Sequence, residues 1–172
     1  TVSLHNFNYY YKIMNRHSNV VDYLKKKRLE SITYSSSHHA CALVPVHLRG
    51  DLEKSIIYGE NHIRPNTNGS FHAEHHALSK ILDQGKRNKK YNLYVIKTSK
   101  TGINMTNSRL CERCVLAVNN AKKSGIKINK IFYTNNENGL TSISSTQLYN
   151  STDHYVTNFY KNNNYEPTLK CS

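Results

Sequence analysis

Apolar residues occur along the chain in two patterns, helical spacing and short runs, and these patterns alternate. Apolar positions three or four residues apart predict helices, whereas short runs rich in apolar and β-branched residues predict strands. Helices are predicted at residues 18–30, 72–84 and 111–125. Strands are predicted at residues 40–48, 55–60, 91–98, 128–134 and 140–144. The resulting order, α-β-β-α-β-α-β-β, predicts an α/β fold with a mixed sheet and helices on its faces.

Capping and turn residues predict where these elements begin and end. Ser18 can cap the first helix, and Gly85 can end the second. Residues 48–51 suit a hairpin turn between the first two strands, and residues 135–139 suit another between the last two. Residues 62–70 are rich in Asn, Pro and Gly, so they predict a loop before the second helix.

The length of 172 residues predicts a single domain spanning residues 1–172. Its core is predicted over about residues 18–146, and residues 147–172 are predicted as a C-terminal extension. A short helix over 147–160 and a loose tail over 161–172 are expected in that extension. No window holds the roughly 18 uninterrupted apolar residues that a membrane span needs, and the N-terminal residues do not resemble a signal peptide. We therefore expect an intracellular protein, cytoplasmic or nuclear, without a membrane partner.

The chain is strongly basic, with a formal net charge of +13. Residues 131–172 contain two basic residues, Lys161 and Lys170, against three acidic ones, so the positive charge lies in the first 130 residues. A basic body favours a phosphate-bearing partner, a nucleotide or a nucleic acid, and it equally fits a surface with extra lysines. The run from Lys25 to Arg28 is interpreted as a solvated helix face.

Two cysteines, Cys111 and Cys114, are separated by two residues at the predicted start of the third helix. On a helix this spacing places both thiols on one side, where they can face one metal ion. The helix N-terminus favours the thiolate form, and zinc prefers such ligands. A redox pair and a structural zinc module are alternatives, although Cys41 and Cys171 stand alone and form no second close pair.

The predicted start of the second helix carries the cluster His72-Ala73-Glu74-His75-His76. His72 can be a third ligand, which leaves a fourth position for water, as at catalytic zinc sites. Glu74 then stands where a carboxylate can take a proton from that water. The spacing does not match the His-Glu-x-x-His of metalloproteases. His75 and His76 are interpreted as residues of the helix surface or core edge.

His72-x-Glu74 followed by Cys111-x-x-Cys114, each opening a helix, resembles the zinc-dependent cytidine and deoxycytidylate deaminase superfamily. The resemblance covers roughly residues 38–145. It implies a three-layer α/β/α sandwich around a mixed five-stranded sheet. It also implies that His72, Cys111 and Cys114 hold Zn²⁺ and that Glu74 is catalytic, moving a proton to the ring nitrogen and then to the leaving amine.

The resemblance also bears on the substrate. By analogy with family members of similar strand pattern, Asn61 is expected to contact the sugar or base, and Arg64 and Arg109 are candidates to bind a phosphate. The predicted hairpin over 131–144 resembles the cytidine-type arrangement. These features imply hydrolytic deamination of a cytosine nucleotide, deoxycytidylate or cytidylate. Family members also often assemble, so a homo-oligomer is expected.

Two alternatives stay open. The basic charge also suits a deaminase acting on a base within RNA or DNA, which would make a nucleic acid the partner. The chain also departs from the family at Leu110, where a Pro usually precedes the first cysteine. A Pro would preset the entry into the helix. A catalytically degenerate binding or structural protein with this fold is therefore the other alternative.

Overall fold

The computed structural model describes residues 4–31, 38–48, 50–63, 70–85, 89–99, 101, 104–137, 139–151, 155–157 and 161–162. Its helices are α1 (Leu4–Glu30), α2 (Leu52–Ser55), α3 (Ala73–Asp83), α4 (Glu112–Lys123) and α5 (Ser145–Tyr149). Its strands are β1 (His39–Pro45), β2 (Ile57–Glu60), β3 (His62–Ile63), β4 (Ser70–Phe71), β5 (Lys90–Thr98), β6 (Met105–Thr106), β7 (Lys127–Thr134) and β8 (Leu140–Ser144). Every element of the predicted α-β-β-α-β-α-β-β order is present.

The main sheet is mixed, with strand order β2-β1-β5-β7-β8 and the short β6 paired to β5. β1 is antiparallel to β2 and to β5, whereas β5 and β7 are parallel and are connected through α4. β7 and β8 form the antiparallel hairpin that the turn residues predict. Its turn is held by Asn135, whose side-chain oxygen accepts the N–H groups of Glu137 and Gly139.

Helices cover both faces of this sheet, as the α/β/α prediction requires. On one face, Val20 and Leu24 of α1 pack with Ala42, Tyr94 and Ile96 of the sheet. On the other face, α3, α4 and α5 bury the larger cluster. Members of this cluster include Ala77, Ile81, Val115, Val118 and Leu148 on the helices and Leu43, Leu93, Val95 and Ile131 on the strands. The three-layer sandwich is confirmed, and it places the starts of α3 and α4 on the same face.

The first helix is longer than its apolar pattern predicts, because α1 begins at Leu4 and Ser18 lies inside it instead of capping it. Polar contacts support the added part. Arg16 donates hydrogen bonds to the carbonyl oxygens of Pro45 and Val46, where β1 ends. His17 lies 2.8 Å from the hydroxyl of Tyr94. Because these contacts are polar, the spacing of apolar residues does not predict this part of the helix.

The basic run on α1 is only partly a solvated face. Lys26 is exposed, and Lys27 forms an ion pair with Glu30 at 2.9 Å. Arg28 is buried, and its guanidinium lies 2.6 Å from Nδ1 of His38. The prediction is therefore wrong for Arg28, because the turn of the helix directs this position towards the sheet.

Three short segments differ from their predicted structure: a turn, a loop and the C-terminal helix. The connection between the first two strands is longer than the predicted hairpin turn, because β1 ends at Pro45 and β2 begins only at Ile57. Within it, Asp51 caps the short helix α2 by accepting the N–H groups of Glu53 and Lys54. β3 and β4 pair within the segment predicted as a loop. In the C-terminal extension, α5 ends at Tyr149, so the predicted helix over 147–160 is shorter and begins earlier. Most of the predicted tail lies outside the described residues.

No helix among the described residues is long and apolar enough to cross a membrane.

Candidate metal centre and active site

The starts of α3 and α4 bring three metal-ligating side chains together. His72 is the N-cap residue of α3 and Cys111 is the N-cap residue of α4, and both have extended backbone conformations. Cys114 lies in the first turn of α4. The Nδ1 atom of His72 is 3.4 Å from Sγ of Cys111 and 3.2 Å from Sγ of Cys114, and the two sulfurs are 3.6 Å apart. Among the described residues these three form the group that could hold a metal ion.

The spacing of these donor atoms fits a tetrahedral zinc ion. Zn–S bonds of about 2.3 Å and a Zn–N bond of about 2.05 Å at tetrahedral angles place the sulfurs about 3.8 Å apart and each sulfur about 3.5 Å from the nitrogen. The observed distances of 3.6, 3.4 and 3.2 Å are slightly shorter. An outward shift of a few tenths of an ångström would match them, and two thiolates with an imidazole are ligands that zinc prefers.

The two sulfurs hold different charge states before any metal binds. The hydrogen bond from Cys114 and the neighbouring His72 lower the pKa of Cys111 to about 4, despite its burial. Burial and the neighbouring charge of Glu74 raise the pKa of Cys114 well above its ordinary value. Burial alone would lower the pKa of His72, but its hydrogen bond and charge interaction with Cys111 raise it overall. The group therefore holds a thiolate, a thiol and a readily protonated imidazole.

Glu74 lies beside this group without belonging to it. Its side chain is 4% exposed, which is rare for a carboxylate. Burial raises its pKa, the positive charge of His72 opposes this, and the Cys111 thiolate adds to the increase. The thiol of Cys114 is a hydrogen-bond partner of the carboxylate. A buried carboxyl with a raised pKa is suited to both taking and giving a proton.

Asn61 supports the first turn of α3. It is buried, and its side-chain oxygen accepts a hydrogen bond of 2.7 Å from the N–H of Ala73, the first residue of the helix. His72 makes no side-chain capping bond of its own. Asn61 therefore satisfies an N–H group that the capping position leaves free, and this holds the turn that carries His72 and Glu74. This hydrogen bond uses the side-chain oxygen of Asn61 and does not involve its side-chain nitrogen.

The structure describes one of the two predicted phosphate-binding arginines. Arg64 lies outside the described residues. The guanidinium of Arg109 is 3.4 Å from the hydroxyl of Ser151, beyond the end of α5. Leu110, which stands where the family usually has Pro, is 1% exposed and belongs to the core cluster around α4. Its apolar side chain therefore fixes this segment by packing, a role different from the backbone restriction that Pro would impose.

His75 and His76 do not belong to the metal-binding group. Nε2 of His75 is 3.4 Å from the carbonyl oxygen of Arg113, and Nδ1 of His76 is 3.3 Å from both the N and the O atoms of Glu60. Both rings are half-buried and contact Phe71 on β4. They connect the α3 start to its neighbours, in agreement with their interpretation as residues of the core edge.

Hydrogen bonds of Ser108, a residue outside the recognised motifs, position the segment before Cys111. The hydroxyl of Ser108 donates to the carbonyl oxygen of Val95 on β5 and accepts the N–H of Thr134 on β7. The side chains of Ser108 and Thr134 are buried. The segment leading to Cys111 is thereby fixed across the ends of two parallel strands. The only signal in the sequence is the small hydroxyl residue itself, which is too common to predict such a role.

Solved structures of other proteins share this fold. A cytidine deaminase from Burkholderia pseudomallei matches with a TM-score of 0.56 and 18% sequence identity, over 81% of this chain and 98% of that chain. The chain has the cytidine deaminase fold. A cytidine deaminase from Mycobacterium leprae matches at 19% identity over 74% of this chain and 94% of that chain, with a TM-score of 0.44. No protein-family model and no curated protein matches the sequence.

In this cytidine deaminase fold, metal binding is expected to release at least one proton at pH 7. Cys111 is already a thiolate, but the raised pKa of Cys114 keeps its proton at neutral pH, and the raised pKa of His72 keeps part of another. The zinc ligands must be deprotonated. The apparent affinity for Zn²⁺ should therefore rise as the pH increases from about 6 to 9. The expected rise is about tenfold per pH unit for each proton released.

The proton count can be measured by titrating metal-free protein with Zn²⁺ in buffers of different ionisation enthalpy. The same titration repeated across pH gives the slope of affinity. An affinity that does not change between pH 6 and 9 would contradict this assignment of the ligands.

Proposed function

We propose that this protein is a zinc-dependent hydrolase that deaminates a cytosine nucleotide, deoxycytidylate or cytidylate. One observation carries the proposal: His72, Cys111 and Cys114 converge at the starts of α3 and α4, with the buried carboxyl of Glu74 beside them. The fold is that of the cytidine deaminases with which it compares. The antiparallel β7–β8 hairpin gives further support, because the sequence resemblance associates this arrangement with cytidine-type enzymes.

The residues of the site divide into ligands and a proton carrier. His72, Cys111 and Cys114 would hold Zn²⁺, which supplies the Lewis acidity that makes water a nucleophile near neutral pH. Glu74 takes a proton from that water on a carboxylate oxygen. It gives that proton to the ring nitrogen as the oxygen bonds to the amine-bearing carbon. Glu74 then carries the second proton of the former water to the amine, and the carbon–nitrogen bond breaks as ammonia leaves. The net reaction exchanges an exocyclic amine for oxygen and releases ammonia.

A basic side chain near the group, Arg113, supports a phosphorylated substrate. Arg113 lies in the first turn of α4, next to Cys114, and its side chain is exposed. Its positive charge is close enough to oppose protonation of both His72 and His75. A phosphate placed at this side of the site would meet a guanidinium that can bind it with two hydrogen bonds.

A deaminase acting on a base within RNA or DNA is the second candidate, and the net charge of +13 favours it. A polynucleotide contacts several basic residues at once, so its binding weakens steeply as salt increases. Binding of a mononucleotide depends on few ionic contacts and weakens much less. The salt dependence of the Michaelis constant therefore separates the two candidates.

The test uses one preparation of the full chain. Bound zinc is measured first, and ammonia release is then followed with deoxycytidylate, cytidine, adenosine-containing tRNA and single-stranded DNA. One zinc per chain and fastest turnover of deoxycytidylate, with weak salt dependence, is the expected result. No bound zinc would contradict the metal site. Zinc without turnover of any of the four would favour a binding or structural protein that keeps the fold.

A further inference from the structure

The first halves of β5 and β7 direct polar side chains to the face of the sheet that α1 covers. Tyr91 and Leu93 of β5 belong to the core on the opposite face, so the alternate residues Lys90 and Asn92 point to the face of α1. The side-chain nitrogen of Asn129 on β7 donates to the side-chain oxygen of Asn92 at 3.2 Å. This hydrogen bond places Asn129 on the same face as Asn92.

Two lysines of β7 complete this group of polar side chains. Lys127 is the register partner of Lys90, so the two residues lie on neighbouring strands about 4.8 Å apart. The pairing of β7 with β5 shifts by one residue after Ile128, as at a β-bulge. Ile131 belongs to the core on the opposite face, so its neighbour Lys130 also points to the face of α1.

These residues form a surface of positive charge that we call the lysine surface: Lys90, Asn92, Lys127, Asn129 and Lys130. Its three lysines are exposed and its two asparagines are half-buried. The sequences of β5, β7 and β8 contain no acidic residue. Within the part of the chain that the structure describes, the ion-paired lysines are Lys27 and Lys54, which lie outside this surface. The charges of the lysine surface are therefore available to an external anion.

We propose that the lysine surface binds the sugar–phosphate backbone of a single-stranded nucleic acid. Lysines that neutralise phosphates release counterions, and this release drives nucleic-acid binding. The amides of Asn92 and Asn129 add donors and acceptors of the kind that contact phosphate and sugar. Lys127 and Lys130 are about 10 Å apart along β7, so a flexible strand that follows β7 can reach both.

An anionic membrane fits the lysine surface less well than a nucleic acid does. Proteins that bind at a membrane surface combine positive charge with apolar side chains that enter the lipid. Among the described residues, the exposed large apolar side chains lie outside β5 and β7. The lysine surface therefore offers charge and hydrogen bonds without an apolar group to insert, which suits a phosphate backbone in water.

The lysine surface and the metal-binding group are on opposite sides of the sheet. His72 and Cys111 open α3 and α4, which cover the other face. A nucleotide held at the metal-binding group therefore cannot also contact these lysines. The inference goes beyond the proposed function and does not rest on it, because nucleic-acid binding here requires neither zinc nor turnover.

The experiment measures binding of a fluorescently labelled single-stranded RNA of about 16 nucleotides by anisotropy at several salt concentrations. The triple variant Lys90→Gln, Lys127→Gln and Lys130→Gln removes three phosphate contacts. The plot of log affinity against log salt should become shallower by about 2, and the affinity at about 0.1 M salt should fall about 100-fold. Single-stranded DNA of the same sequence should bind similarly, because backbone contacts carry no sequence information.

A matched control loses the same charge from three exposed lysines on α1 and α4: Lys26→Gln, Lys122→Gln and Lys123→Gln. This control should keep the wild-type affinity and salt dependence. Both triple variants should keep the wild-type unfolding temperature, because every replaced side chain is exposed. Equal losses of RNA affinity in the two variants would overturn the inference, since binding would then respond only to net charge.

Two further outcomes would overturn the inference. One is wild-type protein that does not bind the RNA at about 0.05 M salt, where ionic contacts are strong. The other is wild-type protein that binds phosphatidylserine vesicles through these lysines but does not bind RNA. RNA binding by a protein that releases no ammonia from any nucleotide would support the inference and contradict only the proposed function.

Discussion

Replacement of Glu74 by glutamine is expected to lower turnover by at least about 10²-fold while one zinc ion per chain is retained. The carboxyl is buried beside the metal-binding group, but it is not one of the three side chains that could share an ion. An amide keeps the shape of the side chain and cannot accept and return a proton. Loss of a positioned acid–base group lowers rates by about 10²- to 10⁴-fold. The measurements are ammonia release at saturating substrate and zinc content of the purified variant.

A carboxylate on the other ligand helix provides the control for Glu74. Glu112 is 1% exposed and lies in the first turn of α4, next to Cys111. Glu112→Gln makes the same chemical change at a similarly buried residue. It should reduce kcat far less than Glu74→Gln does. If Glu74→Gln lost its zinc, the residue would be a ligand, and its assignment as proton carrier would be wrong. Equal losses of kcat in both variants would indicate a general effect of removing buried charge.

The sequence predicts the parts of the site that depend on local spacing. Cys111 and Cys114 share a helix face because they are three residues apart, and this relation holds in any helix. His72 and Cys111 are each found at a helix N-cap, as the pattern of loops followed by apolar stripes predicts. The number of strands in the main path of the sheet follows from counting them along the chain, and the β7–β8 hairpin follows from the turn residues before β8.

Other features depend on contacts between distant segments, which spacing cannot reveal. The bridge between Cys111 and Tyr155 and the contact between Ser108 and Thr134 join residues far apart in the chain. Asn61 illustrates the same limit. Its position predicts a contact with substrate, which stays a prediction, but the bond from its side-chain oxygen to the N–H of Ala73 is found only in the structure. The last turn of α1 before residue 18 gives no apolar signal of its own, because Arg16 and His17 hold it to the sheet by polar contacts.

The requirement for glycine at position 59 is another feature that spacing cannot reveal, because it depends on how closely α3 approaches β2. A Cβ atom at this position would clash with the carbonyl oxygen of Ala73 and would lie 2.6 Å from the backbone nitrogen of Ala77. Both contacts are with backbone, so no side-chain rotation can relieve them. Only glycine lets the first turn of α3 lie against the strand, and that turn carries Glu74 and follows His72.

Gly59→Ala is therefore expected to destabilise the protein by about 3 kcal/mol, at the upper end of the range for overpacked cores. This is a large part of the roughly 5–15 kcal/mol that stabilises a typical domain. Displacement of α3 should also lower the zinc affinity, because His72 moves relative to the two cysteines. The free energy of unfolding from denaturant titration and the zinc affinity of the folded fraction are the measurements.

Two further variants separate the backbone clash from the general cost of replacing a glycine. Gly85→Ala changes a residue with φ of +61° and no atom within 4 Å of the added Cβ, so it should cost only about 1–2 kcal/mol and leave zinc affinity unchanged. Ala77→Gly removes the third close contact, a side-chain Cβ at 2.9 Å, but leaves both backbone contacts. The double variant Gly59→Ala with Ala77→Gly should therefore be no more stable than Gly59→Ala alone. Recovery of stability in that double variant would show that the side chain of Ala77, not the backbone of α3, sets the requirement for glycine at this position.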